Sequence, residues 1–437
     1  MKRKMREQVV WTSALFACVS LGVATITTAQ HGSGHLRSVQ PSASLQQVGV
    51  PRPSADLSLV STRPSWTLLP GNGPVTARIA TPAVFDSATN QMIIFGGLDE
   101  RGSLNDVEAL TNANGLGGAA DWVSPIANGV TGSPPSRSSH SAVYDETNSR
   151  MVVFAGCTST PGPDGVCILP ALNDVWVLTN ANGLGGIPTW IQLFAAGGPP
   201  AGRVGHTAVY DSGTNSMITF AGNDGTFQTG GNFSDVWVLS NANGLGGTPT
   251  WTQIFPTGGP PQGKLAASAV YNPTSNIMTV FGGLVDQNRS IFTNAVWTLS
   301  HANGRGGTPA WTNLVADGAP GSPMKRFFGS AVYDTVGNRM TIFGGAVSGV
   351  SFVDSNDVWV LSNADGLGGT PVWTRLNPKS ARPVERGQHA AAYDATNKRM
   401  MIFGGSGPEG IFFSTWVLTH ANGLEPDDEE EQQFRPF

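Results

Sequence analysis

The sequence has little charge, little cysteine and no long apolar run beyond its first residues. Asp, Glu, Lys and Arg together make up 13% of 437 residues, and the formal net charge is -5. Attraction to nucleic acid needs a basic surface to displace counterions from the phosphate backbone, so this balance argues against a whole-protein attraction. After about residue 24 no stretch is apolar enough to span a bilayer. Three cysteines are too few for a disulfide scaffold and lack the neighbouring histidines of a zinc site. What is abundant is Gly (56) and Pro (30), a balance that suits many short strands joined by turns better than long helices.

The N-terminus reads as an export signal. Lys2, Arg3, Lys4 and Arg6 precede an apolar stretch from Val9 to about Ala24, and Thr27-Thr28-Ala29 offers small residues for cleavage before Gln30. A retained anchor is the competing reading; Thr12, Ser13, Ser20 and Gly22 interrupt the apolar run and argue against it. Lipidation at Cys18 ranks lower still, because Phe16 is bulky for such a site. The expected mature chain is therefore exported, either secreted or periplasmic. It keeps two cysteines, Cys157 and Cys167, on either side of a Pro- and Gly-rich loop. An oxidising compartment would join them and stiffen that loop by roughly 3 kcal/mol in the chain-entropy model.

Internal repetition organises the rest. A unit of about 60 residues occurs six times. Its first piece ends in Ala-Val-Tyr-Asp or a close variant, from Ala83-Val84-Phe85-Asp86 to Ala391-Ala392-Tyr393-Asp394. An Asn- and Thr-rich turn follows, as at Thr147-Asn148. The second piece is apolar on both faces and closes in Gly-Gly or Ala-Gly, as in Met92 to Gly97 and Met151 to Gly156, the pattern of a strand packed between neighbours. The third piece carries Trp176, Trp237, Trp297, Trp359 and Trp416 at one position, where the first unit has Glu108. The fourth is a short Trp strand with Trp122, Trp190, Trp251, Trp311 and Trp373. A turn such as Asn180-Ala181-Asn182-Gly183 joins third to fourth.

A Gly doublet after an apolar strand, then an aromatic strand, then a Trp strand resembles the kelch repeat. The resemblance covers about residues 64–424. It implies an all-β, six-bladed kelch-type β-propeller with four strands per blade, the first innermost around a central channel. The sixth unit lacks its Trp strand, and an orphan Trp strand, Trp66-Thr67-Leu68-Leu69, lies ahead of the first. That strand is expected to complete the last blade and close the ring, which removes exposed sheet edges. The domain plan is then a signal peptide over 1–29, a flexible linker over 30–63, the propeller over 64–424 and a solvated acidic tail over 425–437.

Chemistry is scarce. All five tyrosines (Tyr144, Tyr210, Tyr271, Tyr333 and Tyr393) share one repeat position, which favours packing. Galactose oxidase, an enzyme with the propeller fold, needs a Cys-linked Tyr, a second Tyr and two His ligands on copper; this sequence offers no such set, and no cofactor or metal is expected. His31 and His35 lie in the linker, and His301 and His420 replace the first Asn of the Asn-Ala-Asn-Gly turn. His140, His206 and His389 share an inner-strand position. Their bland reading is hydrogen bonding within the strand; the sharper one, a shared metal, needs three blades to converge their imidazoles on one ion. The Asn-Ala-Asn-Gly turns lack the carboxylates a calcium site prefers, Asp365 excepted, and read as structural turns.

One constellation remains. Each first strand opens with a basic residue: Arg78, Arg137, Arg203, Lys264, Arg326 and Arg386. Strand order puts all six on one face, where the loops between second and third strands also open. In the functional reading this ring binds an anionic ligand, since Arg suits carboxylates and kelch domains resembling this one use Arg on that face for acidic partners. In the structural reading each Arg reaches the Asp opening the third strand, namely Asp106, Asp174, Asp235 or Asp357. Units four and six carry Ala295 and Ser414 instead, which leaves Lys264 and Arg386 as candidate free charges. The expected function is an exported interaction module recognising a protein or glycan through its loop face. The alternative is a periplasmic enzyme that interconverts anomers of an acidic sugar, with Glu385 as proton shuttle.

Overall fold

Each of the first five repeats folds into one four-stranded antiparallel sheet, in sequence order from first strand to fourth. The structure, a computed structural model, describes residues 63–159, 167–226, 231–286, 290–347 and 353–424. The signal, the acidic tail and nearly all of the linker lie outside the described residues. The architecture is all-β, and no helix occurs among the described residues. In the first unit the strands are Ala83–Asp86, Gln91–Asp99, Gly102–Leu110 and Trp122–Ile126. The sixth unit supplies three strands, Ala390–Asp394, Arg399–Phe403 and Thr415–Thr419, and the N-terminal Ser65–Leu69 pairs with the last of them in the register Ser65↔Thr419 to Leu69↔Thr415.

The apolar second strands explain why the sheets stack. Ser216–Phe220 is buried at all five positions, one face against each neighbouring sheet. The core is therefore not one mass but a set of layers between sheets. Phe95 and Ile93 of unit one pack with Met151, Val153 and Trp190 of unit two, while Ile94 and Trp122 pack with Met401 and Phe403 of unit six. One contact recurs in every layer: a strand-two Phe against a strand-four Trp of the next unit. The pairs are Phe95–Trp190, Phe154–Trp251, Phe220–Trp311, Phe281–Trp373, Phe343–Trp66 and Phe403–Trp122, with centroids 4.6 to 5.1 Å apart. Each such pair contributes about 0.5–1.5 kcal/mol beyond its buried area.

The Gly doublets have two different jobs. Their first residue takes a left-handed backbone but tolerates Ala, as at Ala155 and Ala221. Their second residue is Gly in all six units. A Cβ at Gly156 would come within 2.7 Å of both the His140 Cβ and the Ser138 carbonyl oxygen. The tight approach serves a backbone bond between units: Gly97 N–H donates to Arg137 O, Gly156 to Arg203, Gly222 to Lys264, Gly283 to Arg326, Gly345 to Arg386 and Gly405 to Arg78, at 2.8 to 3.0 Å.

A belt of six further backbone bonds runs inside these. Ser139 N–H donates to Ala80 O, Gly205 to Ser139, Ala266 to Gly205, Phe328 to Ala266, Gln388 to Phe328, and Ala80 back to Gln388. All six residues sit at φ between 52° and 58°, five of them without being Gly. Left-handed backbone is unfavourable for such residues, and here it turns each N–H toward the preceding unit.

On the opposite face the Asn-Ala-Asn-Gly turns act as latches. The first Asn, or its His replacement, is left-handed throughout, with φ from 48° to 50°. The second Asn reaches into the preceding unit and donates to the Asp ending its first strand: Asn182 to Asp86, Asn243 to Asp145, Asn303 to Asp211, Asn422 to Asp334 and Asn114 to Asp394. Between units four and five the roles are exchanged, with Asn272 donating to Asp365 at 2.8 Å. The lone carboxylate among the turns is thus a swapped hydrogen-bond partner.

Candidate functional site

The six basic residues do assemble on one face, but their side chains are buried. Arg78, Arg137, Arg203 and Arg326 are at most 2% exposed. Each forks onto the Asp that opens the third strand of its own sheet. Nη1 and Nη2 lie 2.8 and 2.9 Å from the Asp106 oxygens in unit one, 2.7 and 2.8 Å from Asp174 in unit two, 2.8 and 2.9 Å from Asp235 in unit three, and 2.6 and 3.0 Å from Asp357 in unit five. Nη1 also donates to the carbonyl of the first doublet residue, and Nε to a carbonyl two residues upstream. These guanidiniums therefore fasten the first strand to the third and seal the end of the sheet.

Three of the carboxylates have another donor, the indole N–H of the repeat Trp: Trp176 to Asp174, Trp237 to Asp235 and Trp359 to Asp357, at 2.7 to 2.8 Å. Burial by itself would raise Asp357, yet the hydrogen bonds and charge of Arg326 outweigh it and hold the carboxyl at about 2.

Lys264 and Arg386 lack the Asp and are equally buried. Arg386 donates to Gly404 O at 2.9 Å and to Ser414 Oγ at 3.2 Å, and its guanidinium lies 4.3 Å from the Phe412 ring centre. Burial lowers it to about 10, with Glu409 acting the other way. Burial likewise lowers Lys264 to about 8, against a raising influence from Asp317. Its ammonium has no hydrogen bond or ion pair among the described residues.

A lysine whose folded-state pKa lies below its unfolded value of about 10.4 is a cost to folding. The cost is complete below pH 8, where both states are protonated, and fades as pH rises toward 10.4, where the unfolded chain also loses its proton. Lys264→Met is therefore expected to stabilise the protein by on the order of 3 kcal/mol at pH 7. The advantage should shrink markedly by pH 10. Urea unfolding of both proteins at the two pH values measures this; an equal gap at both would refute it.

The three inner histidines sit in separate units, on the walls of one cavity. His206 Nε2 is 2.8 Å from Ser141 Oγ, and His389 Nε2 is 2.7 Å from Ser330 Oγ. His140, His206 and His389 pack edge-on against Phe95, Phe154 and Phe343. Burial, with the nearby Arg charge second, pushes His206 and His389 down to about 3 and lowers His140 as well, so all three are neutral at pH 7. They border a cavity of about 170 Å³ whose wall also includes the belt residues Ala80, Ser139, Gly205, Ala266, Phe328 and Gln388. No cluster of metal-ligating side chains occurs among the described residues.

The loops between second and third strands rise on the face of the basic residues. In unit two the loop is closed by a Cys157–Cys167 disulfide. Ile168, Ile291, Val353 and Phe413, from the loops of units two, four, five and six, are 44% to 68% exposed. In units four and six the neighbours Phe292 and Phe412 turn inward, so those two loops are anchored while one apolar side chain stays outside. Glu385 stands at the same face, where it accepts from Asn356 Nδ2 at 3.3 Å. Asp354 is raised to about 6 by burial and, secondarily, by the Glu385 charge.

Sequence reading located the basic residues and the Asp partners but missed the belt and the latches. The latch signal was present: Asn272 replaces Asp in one motif where Asp365 replaces Asn in another. The belt left no residue signature, since its members are Ala, Ser, Gly, Ala, Phe and Gln joined only through backbone atoms.

Residues 275–423 match the model of the KLHDC2/KLHL20/DRC7 kelch-repeats domain. The chain is 27% identical over 308 residues to Adagio-like protein 3 of Oryza sativa subsp. japonica, covering 69% of this chain and 43% of that protein. It is 28% identical over 300 residues to Adagio protein 3 of Arabidopsis thaliana, covering 68% of this chain and 42% of that protein. The chain thus spans less than half the length of these curated relatives. A solved structure titled "Structure of YjhT" superposes with a TM-score of 0.55 at 15% identity, covering 79% of this chain and 95% of that one. At that identity the likeness shows the fold alone.

Proposed function

We propose that this chain, which belongs to the kelch-repeat family, is an exported interaction module that binds a protein partner on its loop face. In this reading the six sheets are the blades of one closed ring. Three links from unit six to unit one support closure: Gly405 to Arg78, Ala80 to Gln388 and Asn114 to Asp394. The Ser65–Leu69 strand supports it from the outer side. Closure makes the loops a rigid surface, and rigid loops bind with less ordering cost.

The carrying observation is the set of apolar side chains held in solvent by four different loops. Apolar anchors spread over one face, with charged groups internally paired beneath them, suit a protein surface better than a glycan. The disulfide in one of those loops supports an oxidising compartment, hence export. Because the basic ring spends four of its charges internally, acidic character in the partner is not required. A second reading, anomer interconversion of an acidic sugar, draws on the neighbouring Asp354 and Glu385 carboxyls.

One experiment separates the readings. Ile168→Ser, Ile291→Ser, Val353→Ser and Phe413→Ser are combined, and partners from the exported fraction of the source cells are photocrosslinked to this variant and to the unmodified protein. Both are also assayed for sialic acid mutarotation. Loss of a specific partner in the folded variant, with no rate above background, is expected. Undiminished crosslinking, or a catalysed rate that Glu385→Gln abolishes, would falsify the binding reading.

A further inference from the structure

Glu108 occupies the position where the other five units carry Trp. In units two, three and five that indole fills the space beside the Arg–Asp pair and donates to the Asp. Unit one keeps the pair, Arg78 with Asp106, but not the indole. A cavity of about 370 Å³ opens there, lined by Thr76, Asp99, Arg101, Asp106, Glu108 and Ser124 among others.

The carboxyl in that cavity is only partly matched: Ser124 lies within reach of it, but one oxygen has no partner. Glu108 is 3% exposed, and its Oε2 has no hydrogen-bond partner. No cation among the described residues forms an ion pair with it, and Arg78 acts on it only at a distance. Both Nη atoms of Arg78 are engaged by Asp106, and Arg101, on the rim, donates through Nε and Nη2 to Asp99 at 3.1 and 2.8 Å. A buried carboxylate without a counter-charge is costly unless protonated or joined by a cation.

We infer that the unit-one cavity is a binding site for an alkyl-linked organic cation, a guanidinium or ammonium group, whose charge pairs with Glu108. The inference is independent of the loop-face reading, since it rests on the Trp-to-Glu exchange alone.

The empty site has a fallback. Burial and then the Asp106 charge raise Glu108 to about 7, with Arg78 opposing. The charged groups around it are Asp106, Arg78, Asp99 and Arg101. Protonated Glu108 can donate to Asp106, as the indole N–H does elsewhere. An entering cation favours the ionised form and expels that proton. Affinity should therefore rise as pH increases through 7, about tenfold between pH 6 and 8, as the ionised fraction grows.

Titration calorimetry with ethylguanidinium and ethylammonium, each against neutral ethylurea, tests the site on the full chain. Binding of at least one cation, strengthening from pH 6 to 8, without ethylurea binding, is expected. Glu108→Gln should weaken it at least tenfold. Glu108→Trp restores the residue of the other units, should fold at least as stably, and should abolish binding. The inference is overturned if neither cation binds at about 100 mM, a dissociation constant worth only about 1.4 kcal/mol, if ethylurea binds equally, if affinity ignores pH, or if Glu108→Trp still binds.

Discussion

Deleting residues 64–70 is expected to lower the unfolding free energy by at least about 4 kcal/mol while leaving one cooperative transition. Trp66 is 3% exposed and supplies the aromatic partner of Phe343, a partner that in every other layer comes from the fourth strand of the next repeat. Losing a buried Trp costs about 3–5 kcal/mol, and five paired residues are lost with it. The Thr415–Thr419 strand then becomes an edge, which invites pairing with another copy. Units six and one should stay joined, because the links between them from Gly405, Ala80 and Asn114 lie outside the deletion. Urea unfolding followed by Trp fluorescence, with sedimentation velocity for self-association, reads both effects. Trp66→Ala should reproduce most of the stability loss without the association. An unchanged midpoint for the deletion would mean that this strand does not complete the sixth sheet.

Asn303→Asp is expected to cost about 3–5 kcal/mol, and adding Asp211→Asn to bring stability back to within about 1 kcal/mol. Asn303 Nδ2 donates to Asp211 Oδ2 at 2.7 Å, and both residues are under 10% exposed. The single change sets two buried carboxylates against each other. The Oδ1 contacts survive it, because Asp365 makes the equivalent ones: Oδ1 accepts from Asn338 Nδ2 and Leu367 N. With Asp211→Asn added, the latch becomes a copy of the Asn272–Asp365 pair already present at the next junction. Asp211→Asn alone should cost only about 1 kcal/mol, since two amides can still share a hydrogen bond. Unfolding curves for the four proteins give the coupling directly. Simple additivity would show that the two side chains do not act as a latch.

Much of this was legible in the chain. Six copies in one register give the strands, their order and the doublets, because each strand's pattern answers to a local rule: period, turn chemistry, Gly where a Cβ would collide. The Arg and Asp positions were legible too, and the loss of Asp in units four and six marked Lys264 and Arg386. Their burial was not, because exposure depends on how neighbouring sheets cover a residue and not on its place within its own strand. Glu108 was visible as a departure from the repeat; that the departure leaves a cavity beside an intact ion pair required coordinates.

By itself the sequence determined the repeating sheet, since strand formation and apolar patterning act within one unit. The tertiary structure alone decided where charge is spent and where it is left over. Whether Arg78 meets a ligand or Asp106, whether Asn303 is a turn residue or a latch, and whether six backbone amides form a belt all depend on distances between units. Those distances are fixed by how the layers of Phe, Trp and Met pack against each other, which no single repeat encodes.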